Sequence, residues 1–445
     1  MSAALQSSPK KRTRVLFLAW GFSIHAKRRI QIFADDPTFE VAVVSNYDYG
    51  FEQAANFLLK GMGKREGFCN RSLEAVAALR FLLASLIIMR RELARCPGVE
   101  RKLINQLRDF ASCRSVMGSL IMAAKDAKTV KDAVLHFKPN VIFLQTLLYP
   151  CYLAFYLPPS IPVVVTFWNG DLTWQAQWNS IEKVFKEAFI RHGIRRASAI
   201  TVNSTTAYES AIHQGAAKEK TFLIRYPGVD LEQFRPLDKN EAKREIGIVH
   251  DRVILCPRGL GGYLNSDVII EAVQKVIQRF PGALFLFLSR KGDEQEWKRH
   301  LQRAQSLGVG GNVRCDNQVP WEAMPTYYNA SDVMISISSY DSLPNCLLEA
   351  MACQVAVITS DLRQLREWIK DGINGFAVPP RNSQMLADRI LNALEDRGGQ
   401  TRVFGRRNRE LVSELANSRT NADIIKNLVR KVSKHCPIDS PDSWF

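Results

Sequence analysis

Residues 333–337 (V-M-I-S-I) are a mostly β-branched apolar run interrupted only by Ser336, the pattern of a strand buried on both faces. A polar turn at 338–342 follows, then Leu347, Leu348 and Met351 at helical spacing, then a second apolar run at 355–359. Two such strands joined through so short a helix predict a parallel βαβ crossover, and hence an α/β sheet covered by helices. The turn carries Asp341, and Glu349 stands eight residues on. Ser342 suits a helix cap, and Pro344 suits the first turn, where a missing N–H costs nothing. A helix start offers N–H groups and a partial positive charge to a phosphate. The segment can therefore hold a phosphate with backbone, one hydroxylated group with Asp341 and another with Glu349. Two carboxylates on an ordinary surface helix would show the same spacing.

Similar apolar runs recur at 15–20, 41–45, 141–144, 161–167 and 199–203, and again at 253–256 and 284–288. With 445 residues, 46% of them hydrophobic, the chain can fill at least two cores. Ligands of open α/β sheets sit beyond the carboxyl ends of the strands. Asn169, Gly170 and Asp171 follow the 161–167 run, so they are candidates for that position. After 253–256 comes P-R-G-L-G-G-Y-L-N, whose glycines suggest a phosphate loop but fit neither the dinucleotide nor the P-loop spacing. Its Arg258 has the fork of donors that grips two phosphate oxygens. Arg290 and Lys291, after the 284–288 run, offer further cations.

Residues 50–136 depart from this rhythm and read as a series of helices. In the segment 73–89 the uncharged part is nine residues, 81–89, and a membrane span needs about 20. The segment instead suits a bilayer interface, with Arg90 and Arg91 near lipid phosphates, or a core helix with a solvated basic end. The net charge of +16 is one-sided: residues 1–235 hold 32 Lys+Arg against 19 Asp+Glu, leaving 28 against 25 for the rest. A basic half implies an anionic partner. No aromatic-and-basic stacking module is present, which speaks against nucleic acid. The nine cysteines form no C-x-x-C and no zinc spacing, and the first residues lack an apolar h-region; a reducing, cytoplasmic setting without a structural metal is expected.

Several stretches carry a family resemblance. Asp341, seven residues, then Glu349-Ala-Met-Ala-Cys resembles the E-x(7)-E signature of the group 1 (family 4) retaining glycosyltransferases. So do P-G-V-D-L-E-Q-F at 227–234, R-G-L at 258–260, and R-E-W-I-K-D-G-I-N-G-F at 366–376. The resemblance implies a GT-B fold: two Rossmann-like, doubly wound domains facing an interdomain cleft. It implies an acceptor domain at 1–235, a donor domain at 236–395, and helices at 396–445 packing back toward the first domain. It further implies transfer of a sugar, with retention, from a nucleotide diphosphate sugar to a hydroxyl acceptor, without cofactor or metal. The acceptor would be a saccharide or lipid-linked precursor, and the site would lie at the cytoplasmic face of an anionic membrane. By this resemblance Asp341 contacts the donor sugar and Glu349 the ribose, with Asp171 and His25 on the acceptor side. Arg258, Tyr263, Asn265, Ser342, Leu343, Asn345 and Gly21 would line the donor. The chain departs from the family at Asp341, usually Glu, at Gln354, usually Gly, and at the family's phosphate-binding Lys, where Leu264 or Asn265 stands. A nucleotide-sugar epimerase or hydrolase and a non-catalytic, membrane-associated scaffold on the same fold are the competing readings.

Overall fold

The apolar runs become the strands of two parallel sheets. A computed structural model of the protein describes residues 12–19, 24–58, 87, 126–145, 157–167, 190–341, 343–396 and 398–434, with the backbone alone at Ile24 and His25. The chain divides into two compact units, 1–227 together with 422–445, and 228–421.

The first unit contains β1 (Thr13–Leu18), α1 (Ile24–Ala34), β2 (Phe39–Ser45), β3 (Ala54–Leu58), β4 (Val141–Leu144), β5 (Val163–Phe167), β6 (Ala199–Val202) and β7 (Thr221–Leu223). The strand order is β3-β2-β1-β4-β5-β6-β7, all parallel. Strand β3 lies within the stretch expected to be helical. Its sequence, A-A-N-F-L, is short, and its residues are mostly exposed at the sheet edge, so it carries no buried-strand pattern. The expected interfacial helix at 73–89, with Arg90 and Arg91, lies outside the described residues. Among the described residues no helix is long and apolar enough to cross a membrane.

The second unit contains β8 (Arg252–Cys256), α2 (Ser266–Arg279), β9 (Ala283–Ser289), α3 (Glu294–Ser306), β10 (Val313–Asn317), α4 (Met324–Asn329), β11 (Val333–Ser336), α5 (Asn345–Ala352), β12 (Ala356–Ser360) and β13 (Phe376–Val378). Its order is β10-β9-β8-β11-β12-β13, again parallel. The expected crossover is present as β11-α5-β12. From β8 the chain winds outward one way through β9 and β10, then returns to lay β11 on β8's other side. The loops after β8 and β11 therefore leave in opposite directions, opening a crevice at the carboxyl ends of those two strands. The 396–445 helices divide: α6 (Gln400–Leu415) packs in the second unit, where Val412 joins the core containing Leu347 and Met351. From Ala422 onward α7 (Ser418–Ser433) belongs to the first unit, where Ile425, Leu428 and Val429 pack with Val15 and Phe39, and Lys426 pairs with Asp36 at 3.1 Å.

Helix α5 ends in a Schellman motif. Val355 N–H donates to Ala350 C=O at 3.0 Å and Gln354 N–H to Met351 C=O at 3.1 Å. That geometry puts Gln354 in the left-handed region, with φ 60°. Here the family uses glycine, and the reason is steric: a side chain in this conformation crowds its own carbonyl. Gln354→Gly is expected to stabilise the protein by about 1 kcal/mol, read as a rise in melting temperature. An unchanged or lower melting temperature would count against that reading.

Candidate functional site

The switch between β8 and β11 gathers the site. Cys256 ends β8, and the next residues form the glycine loop. Gly259 has φ 80°, and a Cβ there would lie 2.9 Å from Arg290 Nε and 3.0 Å from Asp293 Oδ2. Asp293 Oδ2 accepts the backbone N–H of Leu260 at 3.0 Å and of Arg290 at 2.8 Å, and the Arg290 guanidinium donates to the Arg258 carbonyl. Of the two further cations noted after the 284–288 run, Arg290 and Lys291, Arg290 is therefore engaged in holding this loop. Asn265 is fully buried in the left-handed region, φ 54°; its Nδ2 donates to Ile337 C=O at 2.7 Å, and its Oδ1 accepts from Ser339 Oγ at 3.0 Å. The Tyr263 ring stacks on Tyr340 with centroids 4.8 Å apart and planes 15° from parallel, and its carbonyl accepts Ser339 N–H at 2.7 Å. The loop after β8 is thus stitched to the loop after β11 by four contacts.

This stitching brings Arg258 onto Asp341, 83 residues away in sequence. Arg258 Nη1 donates to Asp341 Oδ2, the same oxygen that accepts Ser338 Oγ at 2.8 Å. Gln364 Nε2 donates to the Asp341 carbonyl, so the residue is held at both ends. The side chains of Arg258 and Asp341 are 18% and 10% exposed. Burial works against the Arg258 charge, yet the Cys346 sulfur and the Asp341 carboxylate outweigh it and hold the pKa above the usual arginine range.

Glu349, in the middle of α5, is 6% exposed. It is no solvated surface acid: Oε1 accepts from Trp321 Nε1 and Oε2 from Tyr328 Oη, both at 2.9 Å. Burial, with the nearby Glu349 charge, drives the Tyr328 hydroxyl pKa well above its ordinary value. Helix α5 starts at Asn345 with Pro344 as its N-cap and no side-chain cap bond, so the start falls later than a Ser342 cap would place it. Leu343 is buried in the core. Gly21, Ser342, Asp171 and the His25 side chain lie outside the described residues.

Two arrangements escaped sequence reasoning. Arg29, on α1 beside Lys27 and Arg28, is 2% exposed. It donates to Gln145 Oε1 at 3.1 Å and Thr166 Oγ1 at 2.8 Å, and Thr166 shares a 2.7 Å hydrogen bond with Thr201. Burial lowers its pKa to about 10. Ser266 Oγ and His300 Nε2 are 2.6 Å apart beneath the glycine loop, with Glu296 near the same ring nitrogen at 3.9 Å. Because the acid faces the nitrogen that already meets the serine, it cannot orient the ring as a nucleophilic triad requires. The cluster instead ties α3 to the start of α2.

Two family models match the chain: Glycosyltransferase Family 4 over residues 94–233, and Glycosyl transferases group 1 over 238–411. A D-inositol 3-phosphate glycosyltransferase of Geodermatophilus obscurus is 30% identical over 192 residues, 42% of each protein. Spore coat protein SA of Bacillus subtilis is 25% identical over 242 residues, 52% of this chain and 64% of that protein. The chain spans about half the length of the curated relatives it matches. Among solved structures, sucrose-phosphate synthase from Thermosynechococcus elongatus aligns with a TM-score of 0.69 at 17% identity, covering 95% of this chain and 99% of that one. Anabaena HepE in complex with UDP aligns at 0.67 and 17% identity, covering 94% and 100%. These likenesses show two Rossmann-like halves of the GT-B type.

Proposed function

We propose that this chain, which belongs to the group 1, family 4 glycosyltransferases, moves a sugar from a nucleotide diphosphate sugar to a hydroxyl acceptor with retention of configuration. The observation that carries this reading is the Arg258–Asp341 contact at the β8/β11 switch, directly ahead of α5. Arg258 and the start of α5 receive the leaving diphosphate, placing positive charge where negative charge develops. Asp341 accepts from a donor-sugar hydroxyl, and Glu349, held by Trp321 and Tyr328, accepts from the ribose. No side chain of the donor unit is assigned as a covalent nucleophile, and the reading is front-face attack by the acceptor hydroxyl. No metal is assigned a part in it. The first unit, with its excess of basic residues, takes a saccharide or lipid-linked acceptor at the cytoplasmic face of an anionic membrane. His25 and Asp171 are assigned to that side, and Tyr263 and Asn345 to the donor side, with the buried Asn265 fixing the donor-side loop from within.

UDP is the first probe, because a fold neighbour was solved with UDP and another of its structures with UDP-glucose. Calorimetry with UDP and with GDP is expected to show one of them binding at millimolar dissociation constant or tighter. Heat from neither overturns the donor site.

A further inference from the structure

We infer that Asp341 also acts as a product-discriminating group: its carboxylate repels the nucleoside diphosphate product more than the nucleotide-sugar donor, and so favours release after transfer. The inference rests on the donor-site reading above. Arg258 is the guanidinium assigned to the diphosphate, yet one of its nitrogens is already committed to Asp341 Oδ2. One cation therefore serves two anions. The carboxylate cannot easily withdraw, since Ser338 Oγ holds the same oxygen at 2.8 Å and Gln364 holds the backbone carbonyl. Both members of the pair are less than a fifth exposed, 18% and 10%, so solvent screens the repulsion poorly.

The chemistry makes this repulsion selective. In the donor, both phosphates are esterified and the diphosphate carries two negative charges. Transfer breaks the bond between the anomeric carbon and the β-phosphate oxygen, and the electron pair stays on that oxygen. The acceptor hydroxyl forms the new glycosidic bond and its proton leaves for solvent. The terminal phosphate then gains a second ionisation near pH 6, so at neutral pH the product carries close to one more negative charge. That charge arises on the phosphate nearest the transferred sugar, the group Asp341 is assigned to contact. The aspartate, one methylene shorter than the usual glutamate, keeps its charge on Arg258. It contacts sugar as donor binds and opposes phosphate once the sugar has gone.

The test is calorimetry on wild type, Asp341→Asn and Asp341→Ser with UDP, UDP-glucose and uridine, or the guanine set if guanine is the base bound. Asparagine and serine both keep an oxygen to accept from Arg258, and a thermal melt identifies which variant is folded. The expected result is a gain in UDP affinity on the order of tenfold, a smaller change or a loss for UDP-glucose, and none for uridine. A folded variant that binds UDP no tighter than wild type overturns the inference and leaves the donor site standing. Equal gains for UDP and UDP-glucose also overturn it, since the repulsion would then not discriminate. Heat from no diphosphate with any of the proteins overturns the donor-site reading, and this inference with it.

Discussion

Glu349→Ala is expected to abolish turnover and, at the same time, to lower the melting temperature clearly. The sequence alone suggests a purely functional acid whose removal leaves the fold untouched. The structure argues otherwise, because Glu349 is 6% exposed and each of its oxygens accepts from a different donor, Trp321 Nε1 and Tyr328 Oη. Alanine leaves both donors without the carboxylate, and Tyr328 is fully buried. A buried donor deprived of its acceptor costs about 1–3 kcal/mol. The double loss, with the cavity left behind, predicts a destabilisation of roughly 3–5 kcal/mol. Glu349→Gln separates structure from function. Its carbonyl oxygen can accept from Trp321 while its amide donates to the Tyr328 oxygen, leaving only the Tyr328 O–H without its acceptor, so the loss of stability is expected to be about 1–3 kcal/mol, smaller than for alanine. Turnover should still fall by at least about a hundredfold, since the charge assigned to the ribose is gone. Differential scanning calorimetry and a donor-hydrolysis or transfer assay read the two effects. An alanine variant that melts with wild type would refute the assigned burial, and a fully active glutamine variant would refute the assigned role.

How far the molecule could be read from its residues depends on the range of the interactions. The central strands were legible because they are buried on both faces: every residue of β9, β11 and β12 is buried, and their sequences are correspondingly rich in apolar residues. Strand β3 was not, because an edge strand with exposed residues needs no such pattern. Helix α5 was legible from Leu347, Leu348 and Met351, but its start was misplaced: Ser342 and Pro344 both look like start signals, and only backbone geometry shows Pro344 at the cap itself. Left-handed residues were legible where glycine marks them. Asn265 and Gln354 adopt the same conformation with side chains, so composition gave no hint. Asp341 and Glu349 could be picked out by spacing. Their partners could not, since Trp321 and Tyr328 lie 28 and 21 residues from Glu349 and are placed by α4 and the turn before it. The burial of Arg29 was not legible for a related reason: its partners Gln145 and Thr166 lie 116 and 137 residues away in sequence.

Arg258→Met is expected to be the most damaging single change in the second unit, and the pairing with Asp341 explains why. Methionine fills much of the arginine stem but removes the only cation in the described structure paired with Asp341. The carboxylate then remains 10% exposed, still accepting from Ser338 Oγ but without the guanidinium. Breaking a buried ion pair from one side costs about 3–5 kcal/mol, because the abandoned charge stays desolvated. The loop itself should survive, as Arg290 grips the Arg258 backbone carbonyl and not its side chain. Loss of stability and loss of catalysis can therefore be pulled apart with the double variant Arg258→Met/Asp341→Asn. That variant removes both charges and is expected to recover most of the lost stability, to within about 1–2 kcal/mol of wild type. Transfer should not recover. Without the guanidinium the leaving diphosphate would lose the side-chain cation proposed for it, and a fall of about a hundred- to a thousandfold is expected to persist. Arg258→Lys should lie between: the charge remains, the two-pronged grip does not, and activity falls less than with methionine. A double variant as unstable as the single would show that the ion pair is not the source of the stability loss. One that regains activity would show that the diphosphate is received elsewhere, and Arg258 would have to be withdrawn from the site.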